Sequence, residues 1–327
     1  MQVDLAELRR RRLSVWTLAT VGVATSTVVV GFGLWLAARW IGFDLPLPWA
    51  LVFGALVSPT DPIAVLATVK RGHLSKRLQV ILQGEALFND GVGIVVFTAL
   101  LAFANGVAPS PSEALWRVFV QAAGGLAVGT LGGFIVLRAM RGIDEFVAEV
   151  SLTLALAMAV YAGAQALHLS GPIAAVGAGL MIGDRHTRRV TSDATEAYLR
   201  SFWTLVDEIL NALLFLMLSL QLVVVPVELR EAGLCAVAVV LMVAARFLVV
   251  LPLGAFLRLR HEEQGVSIIL AWGGLRGALC LALALSVPPG PHRPLILAAA
   301  YVVAAFSVVV QGLTFGPLTQ VLQRRNA

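Results

Sequence analysis

Apolar runs long enough to cross a bilayer recur along the whole chain, at about 14–38, 47–69, 78–104, 114–140, 146–168, 200–225, 232–257, 265–287 and 295–321. A further run, GPIAAVGAGLMIGD at 171–184, is short for a span. The basic residues between the runs decide whether it crosses. If it does, RRRR at 9–12, KRGHLSKR at 70–77, Arg138, Arg141, Arg185, Arg188, Arg189 and Arg200 face one side, together with Arg258, Arg260, Arg324 and Arg325. Arg39, Arg117, Arg230 and Arg293 face the other. Without that crossing the later basic loops would lie opposite the earlier ones, against the positive-inside rule. The pattern therefore predicts an all-α polytopic membrane protein with ten crossings and both termini cytoplasmic.

Composition supports this and excludes an ordinary soluble domain, with 59% hydrophobic residues, 13% charged residues and a mean hydropathy of +0.88. The net charge of +5 comes from loop arginines, so it reports topology and gives no reason to expect a nucleic-acid partner. Cys235 and Cys280 lie inside apolar runs and read as packing residues. The opening MQVDLAELRRRRL resembles a signal-peptide basic region, but the apolar run after it is too long and lacks a cleavage pattern. It reads as a retained helix. AGGLAVGTLGG at 123–133 spaces small residues four apart, which favours close helix packing.

Two spans contain breakers. In SPTDPIAV at 58–65, Pro59 and Pro62 flank Thr60 and Asp61, removing backbone donors and disfavouring helical geometry in the preceding residues. In AWGGLRGALCL, three glycines surround Arg276. Interrupted spans in the two halves of a chain are the signature of an inverted-repeat transporter whose site lies where the breaks meet. Freed carbonyls and half-helix ends there need polar partners, and a cation is one.

LQGEALFNDGVGIVVF, ending at Phe97, sets Glu85, Asn89 and Asp90 within another span. Each carboxylate there is costly unless paired, protonated or holding a cation. Glu85 and Asn89 share a helix face, whereas Asp90 points roughly 140° away from Glu85 at 3.6 residues per turn. The two carboxylates need different partners. Arg276 is a buried cation that Glu85 can neutralise as a structural ion pair, which leaves Asp90, with Asp61, where charge can change. Arg246 in VAARFLVV also needs an anion. Asp207, Glu208 and Asn211 either line an entry funnel or solvate a helix end.

With SPTDPIAV at 58–65, GEALFNDGVGIVVF at 84–97, FWTLVDEILNALLFLMLSLQL at 202–222 and GGLRGALCLALALSVP at 273–288, the chain resembles the monovalent cation/proton antiporter-1 family, the sodium/proton exchangers. The resemblance implies an inverted-repeat antiporter fold with two crossed, unwound helices. It further implies core-bundle helices at about 14–104 and 232–321, interface-domain helices at about 114–225, and a homodimer in membrane lipid. By the same resemblance Asp90 is the essential ion- and proton-binding carboxylate, and Asp61 and the Thr60 main chain add to a Na+ site. Asn89 is the family's asparagine beside that aspartate, and Glu85 with Arg276 is its structural ion pair.

Two departures stand out. Members commonly have serine where this chain has Ala86, one turn before Asp90. They also usually have about three more helices before the first run, and an even count with both ends cytoplasmic agrees with loss of an odd number from an outside-first parent. Residues 1–327 are thus expected to form an N-terminally truncated exchanger domain.

The expected activity is electroneutral exchange of Na+ for H+ across a plasma membrane, or the inner membrane of a bacterium. It serves pH and sodium homeostasis without enzymatic chemistry or a cofactor. Potassium/proton exchange and a truncated, non-transporting membrane protein are the alternatives. An intramembrane aspartyl protease using Asp61 and Asp90 is disfavoured by the lack of a GxGD motif.

Overall fold

The computed structural model describes residues 12–61, 76–107, 110–141, 143, 145–183, 193–224, 229–258 and 266–324. Helix α1 begins as Arg12–Thr17, passes through a π-helical turn at Leu18–Gly22 and continues as Val23–Trp40. It is followed by α2 (Leu47–Leu56), α3 (Lys76–Ala104), α4 (Pro111–Met140), α5 (Phe146–Ala166) and α6 (Gly171–Gly183). Then come α7 (Asp193–Val224), α8 (Leu229–Arg258), α9 (Val266–Trp272) and α10 (Ala278–Ser286). The last helix, α11, runs as Arg293–Phe306, a π-helical turn at Ser307–Gln311, and Gly312–Arg324.

Among the described residues, six stretches are long and apolar enough to cross a membrane: Val15–Trp40, Ile81–Ala104, Phe119–Met140, Phe146–Ala166, Glu231–Pro252 and Arg293–Leu322. The short run at 171–184 holds the helix Gly171–Gly183, the described part of the run at 47–69 is helical only over Leu47–Leu56, and the run at 265–287 is interrupted between Trp272 and Ala278. The basic loop residues at 9–11, 70–75, 185–189 and 260 lie outside the described residues, as does Pro62.

The outward faces explain why these helices need lipid. α1 buries Val23, Val30 and Leu34 on one side and exposes Val28, Phe32 and Leu36 on the other. A water-facing helix would carry charge on that second side. An apolar surface around a helix whose backbone bonds are all internal suits hydrocarbon.

The chain folds as two compact units, one built on Ala6–Pro111 and Leu214–Ala327, the other on Ser112–Leu213. In the second unit, Gly125, Gly129 and Gly133 of α4 lie so close to Ser170, Ala174 and Met181 at α6 that a Cβ on any of them would collide. Close backbone approach is what small residues spaced four apart allow. The Trp203 indole N–H donates to Thr153 Oγ1 at 3.1 Å, joining α7 to α5.

The first unit has a core of α1, α2, α8, α10 and α11 side chains, including Leu34, Phe53, Leu56, Met242, Ala284 and Ala299. Gly54 rests directly on the Thr27 carbonyl, so α2 lies against α1 with no side chain between them. That anchored helix carries the first break.

Candidate ion site

α2 ends in a tightened turn, with Val57 N–H donating to Phe53 O at 3.2 Å and Ser58 N–H to Ala55 O at 3.3 Å. Pro59 prevents its continuation, because it has no donor and its ring crowds the preceding turn. α9 stops at Trp272, and the glycine-rich stretch 273–277 is non-helical until α10 begins at Ala278. The two breaks meet in an isolated antiparallel bridge, in which Asp61 N–H donates to Leu275 O at 2.7 Å. Gly277 is required there, since a Cβ on it would overlap the Asp61 carboxylate.

α3 passes this crossing. Asn89 Nδ2 donates to Thr60 Oγ1 at 2.6 Å, and both residues are buried. Asn89 Oδ1 is buried without a hydrogen-bond partner among the described residues, an acceptor that a water or cation satisfies. Asp90 is half-buried and close enough to Asp61 for their charges to act on one another. Pro59 packs on Gly93, one turn beyond Asn89, where a Cβ would strike its ring. Thr60, Asp61, Asn89 and Asp90 are therefore gathered at one crossing. Ala86 is buried one turn before Asp90 and offers no oxygen.

The expected Glu85–Arg276 pair needs correction. Glu85, 1% exposed, is held by Arg246: Nη1 bonds Oε1, Nη2 donates to Oε2 at 2.9 Å, and Nη2 also reaches Leu270 O at 3.0 Å. Arg246 fits because it lies on Gly274, where any Cβ would meet its guanidinium. Arg276 donates through Nη1 to Ser58 O at 2.7 Å and Pro59 O at 2.8 Å. Those carbonyls belong to the non-helical residues just beyond the C-terminal end of α2, where no helical N–H is available to them. Arg276 is thus bonded to backbone carbonyls rather than to Glu85, although the Glu85 charge still acts on it.

Asp207 and Asn211 belong to the other unit, in α7. Asp207 is exposed, and Asn211 is partly buried with its amide turned back onto Asp207 O at 2.8 Å. The structure adds two buried residues that the breaker and charge patterns do not mark, Ser307 and Gln311 on the π-turn of α11. Ser307 Oγ accepts the Arg276 backbone N–H at 2.8 Å and donates to Gln311 Oε1 at 2.5 Å. Their signal was a serine and a glutamine four apart in an apolar run, FSVVVQG.

The sodium/hydrogen exchanger transmembrane family matches residues 1–321. The Na(+)/H(+) antiporter NhaP of Pseudomonas aeruginosa is 42% identical over 327 residues, covering 98% of this chain and 77% of that one. The Na(+)/H(+) antiporter NhaH of Halobacillus aidingensis is 32% identical over 327 residues, covering 98% and 79%. The solved structure of the sodium proton antiporter MjNhaP1 of Methanocaldococcus jannaschii superposes with a TM-score of 0.73 at 23% identity, covering 98% of this chain and 81% of that one.

Proposed function

The chain belongs to the sodium/hydrogen exchanger family, and from that premise we propose that it exchanges Na+ for H+ at the crossing of its two interrupted segments. It is a multi-pass membrane protein of a family of transporters. The observation that supports the site most directly is the Asn89–Thr60 hydrogen bond, which ties α3 to the segment whose Asp61 is bridged to Leu275. Asp90 takes either a proton or Na+. Asp61 and oxygens at the crossing complete the cation's coordination, and the open Asn89 Oδ1 suits a ligand, direct or through water.

Coupling follows from electrostatics. A site holding Na+ or H+ carries less net charge than the empty one, and only a near-neutral site crosses a low-dielectric barrier at low cost. Two ions competing for one group, each needed for transit, are exchanged rather than carried together. Glu85 with Arg246, and Arg276 with the α2 end, keep permanent charge beside the site compensated in both states. Asn89, neutral beside Asp90, leaves that pair one titratable charge, which supports one-for-one exchange.

We assign the unit built on Ala6–Pro111 and Leu214–Ala327 to the moving, ion-carrying part, and the unit built on Ser112–Leu213 to a homodimer contact. Both termini are assigned to the cytoplasmic side on the distribution of loop arginines.

The test is pH-gradient-driven Na+ uptake into proteoliposomes of this chain. Uptake that collapses when the gradient is dissipated is expected. Asp90→Asn should reduce it by at least about 100-fold, the scale of losing a group that binds only in the productive state, with the protein still folded. Full pH-dependent exchange by Asp90→Asn would overturn the assignment.

A further inference from the structure

One peptide unit joins the two interrupted segments to the last helix. The carbonyl of the Leu275–Arg276 peptide accepts the Asp61 N–H at 2.7 Å, and its N–H donates to Ser307 Oγ at 2.8 Å. A peptide unit is planar, so fixing the direction of its N–H also fixes the direction of its carbonyl. The break between α9 and α10 deprives this N–H of a helical acceptor, and Ser307, itself fully buried, supplies one.

Ser307 is in turn oriented. Its hydroxyl proton goes to Gln311 Oε1 at 2.5 Å, which leaves the oxygen's lone pairs for the Arg276 N–H. Both residues sit on a π-helical turn, where the Gly312 N–H reaches back five residues to Ser307 O. Such turns insert a residue into a helix at a local cost and are frequent at functional sites.

We propose that Ser307 and Gln311 are positioning residues for ion exchange: they orient the Leu275–Arg276 peptide, and that peptide sets the height and direction of Asp61 in the ion site. The chain of contacts runs Gln311, Ser307, the Leu275–Arg276 peptide, Asp61. Each hydrogen bond polarises the next, so loss of the first weakens the last. Arg276 reinforces the arrangement from its other end, holding Ser58 O and Pro59 O with its guanidinium. Ser307 and Gln311 act through that peptide and not as ion ligands. The proposal rests on the exchange reading above, so its test includes a readout that does not need transport.

That readout is amide hydrogen exchange of the full chain in lipid nanodiscs. Ser307→Ala should speed exchange of the Arg276 and Asp61 amides roughly tenfold or more, the scale of one lost buried hydrogen bond. Amides in the middle of α8 should be unchanged. In proteoliposomes the same variant should raise the KM for Na+ roughly tenfold with a smaller change in maximal rate. Weaker Na+ binding lets protons compete more successfully, so the acidic limb of the pH profile should move to higher pH. Ser307→Thr keeps the hydroxyl and should restore both the KM and the profile. Gln311→Ala should shift them in the direction of Ser307→Ala by a smaller amount, and it carries the test if Ser307→Ala fails to fold.

Unchanged amide exchange at Arg276 and Asp61 would overturn the proposed clamp. Faster amides with wild-type KM and pH profile would overturn its positioning role. Absence of exchange by the wild-type chain would instead overturn the transport reading, with the amide result still deciding whether the clamp exists.

Discussion

Residue by residue, the buried charges divide into two kinds. Glu85 and Arg246 form a two-pronged pair with both side chains sequestered, and removing either partner strands the other. Glu85→Gln or Arg246→Met alone should therefore lower stability by about 3–5 kcal/mol, whereas the double variant should recover much of that loss. Thermal melts of the four proteins in one detergent measure this directly, and additive losses would contradict the pairing. The choice between Arg246 and Arg276 was not legible in the sequence. Sequence shows that a buried arginine needs a partner for its charge, but backbone carbonyls at a chain break also serve, and Arg276 lies on two of them. By contrast, the convergence of Thr60, Asp61, Asn89 and Asp90 was legible, because each is a polar residue that hydrocarbon tolerates only with a partner or a task.

At the level of elements, the breaks themselves could be read from prolines and glycines: α2 stops before Pro59, and α9 stops at the first of the three glycines. What those glycines are for could not be. In the sequence Gly274 and Gly277 signal only a weakened helix, yet each is a surface on which another group lies, Arg246 on the first and Asp61 on the second. Gly277→Ala should therefore impair transport although it removes no polar atom. The added methyl displaces the Asp61 carboxylate, and a loss on the order of 100-fold in kcat/KM is expected, since small displacements at reacting groups have effects of that size. Gly290→Ala, in a loop where an added Cβ would meet only Pro288 O at 4.0 Å, is the control and should be near wild type. Equal activities of the two variants would show that Asp61 tolerates displacement. The π-turn at Ser307–Gln311 was invisible in the sequence, because nothing in an apolar run marks a backbone bond from residue five rather than four.

For the whole molecule, hydropathy was the strongest signal, and the crossing-length runs at 14–38, 146–168 and 295–321 match helices of the fold closely. The division into two units had no clear mark in the apolar pattern, since helices in lipid show no polar boundary at a domain edge. Exchange of one Na+ for one H+ moves no net charge. Uptake driven by a pH gradient should accordingly be unaffected by an imposed potential of about 100 mV, which would otherwise change the driving force by about 2.3 kcal/mol per charge carried. A potassium-gradient clamp on proteoliposomes tests this, and a rate that follows the potential would rule out one-for-one exchange.

The placement of Arg276 on the carbonyls of Ser58 and Pro59 bears on how such a protein avoids leaking. A bare helix end would attract stray cations whether or not Asp90 was filled, and an ion resting there would pass as false cargo. On the exchange reading proposed above, the guanidinium of Arg276 fills that seat, so a second cation finds no free carbonyls there and loading is decided at Asp61, Asn89 and Asp90.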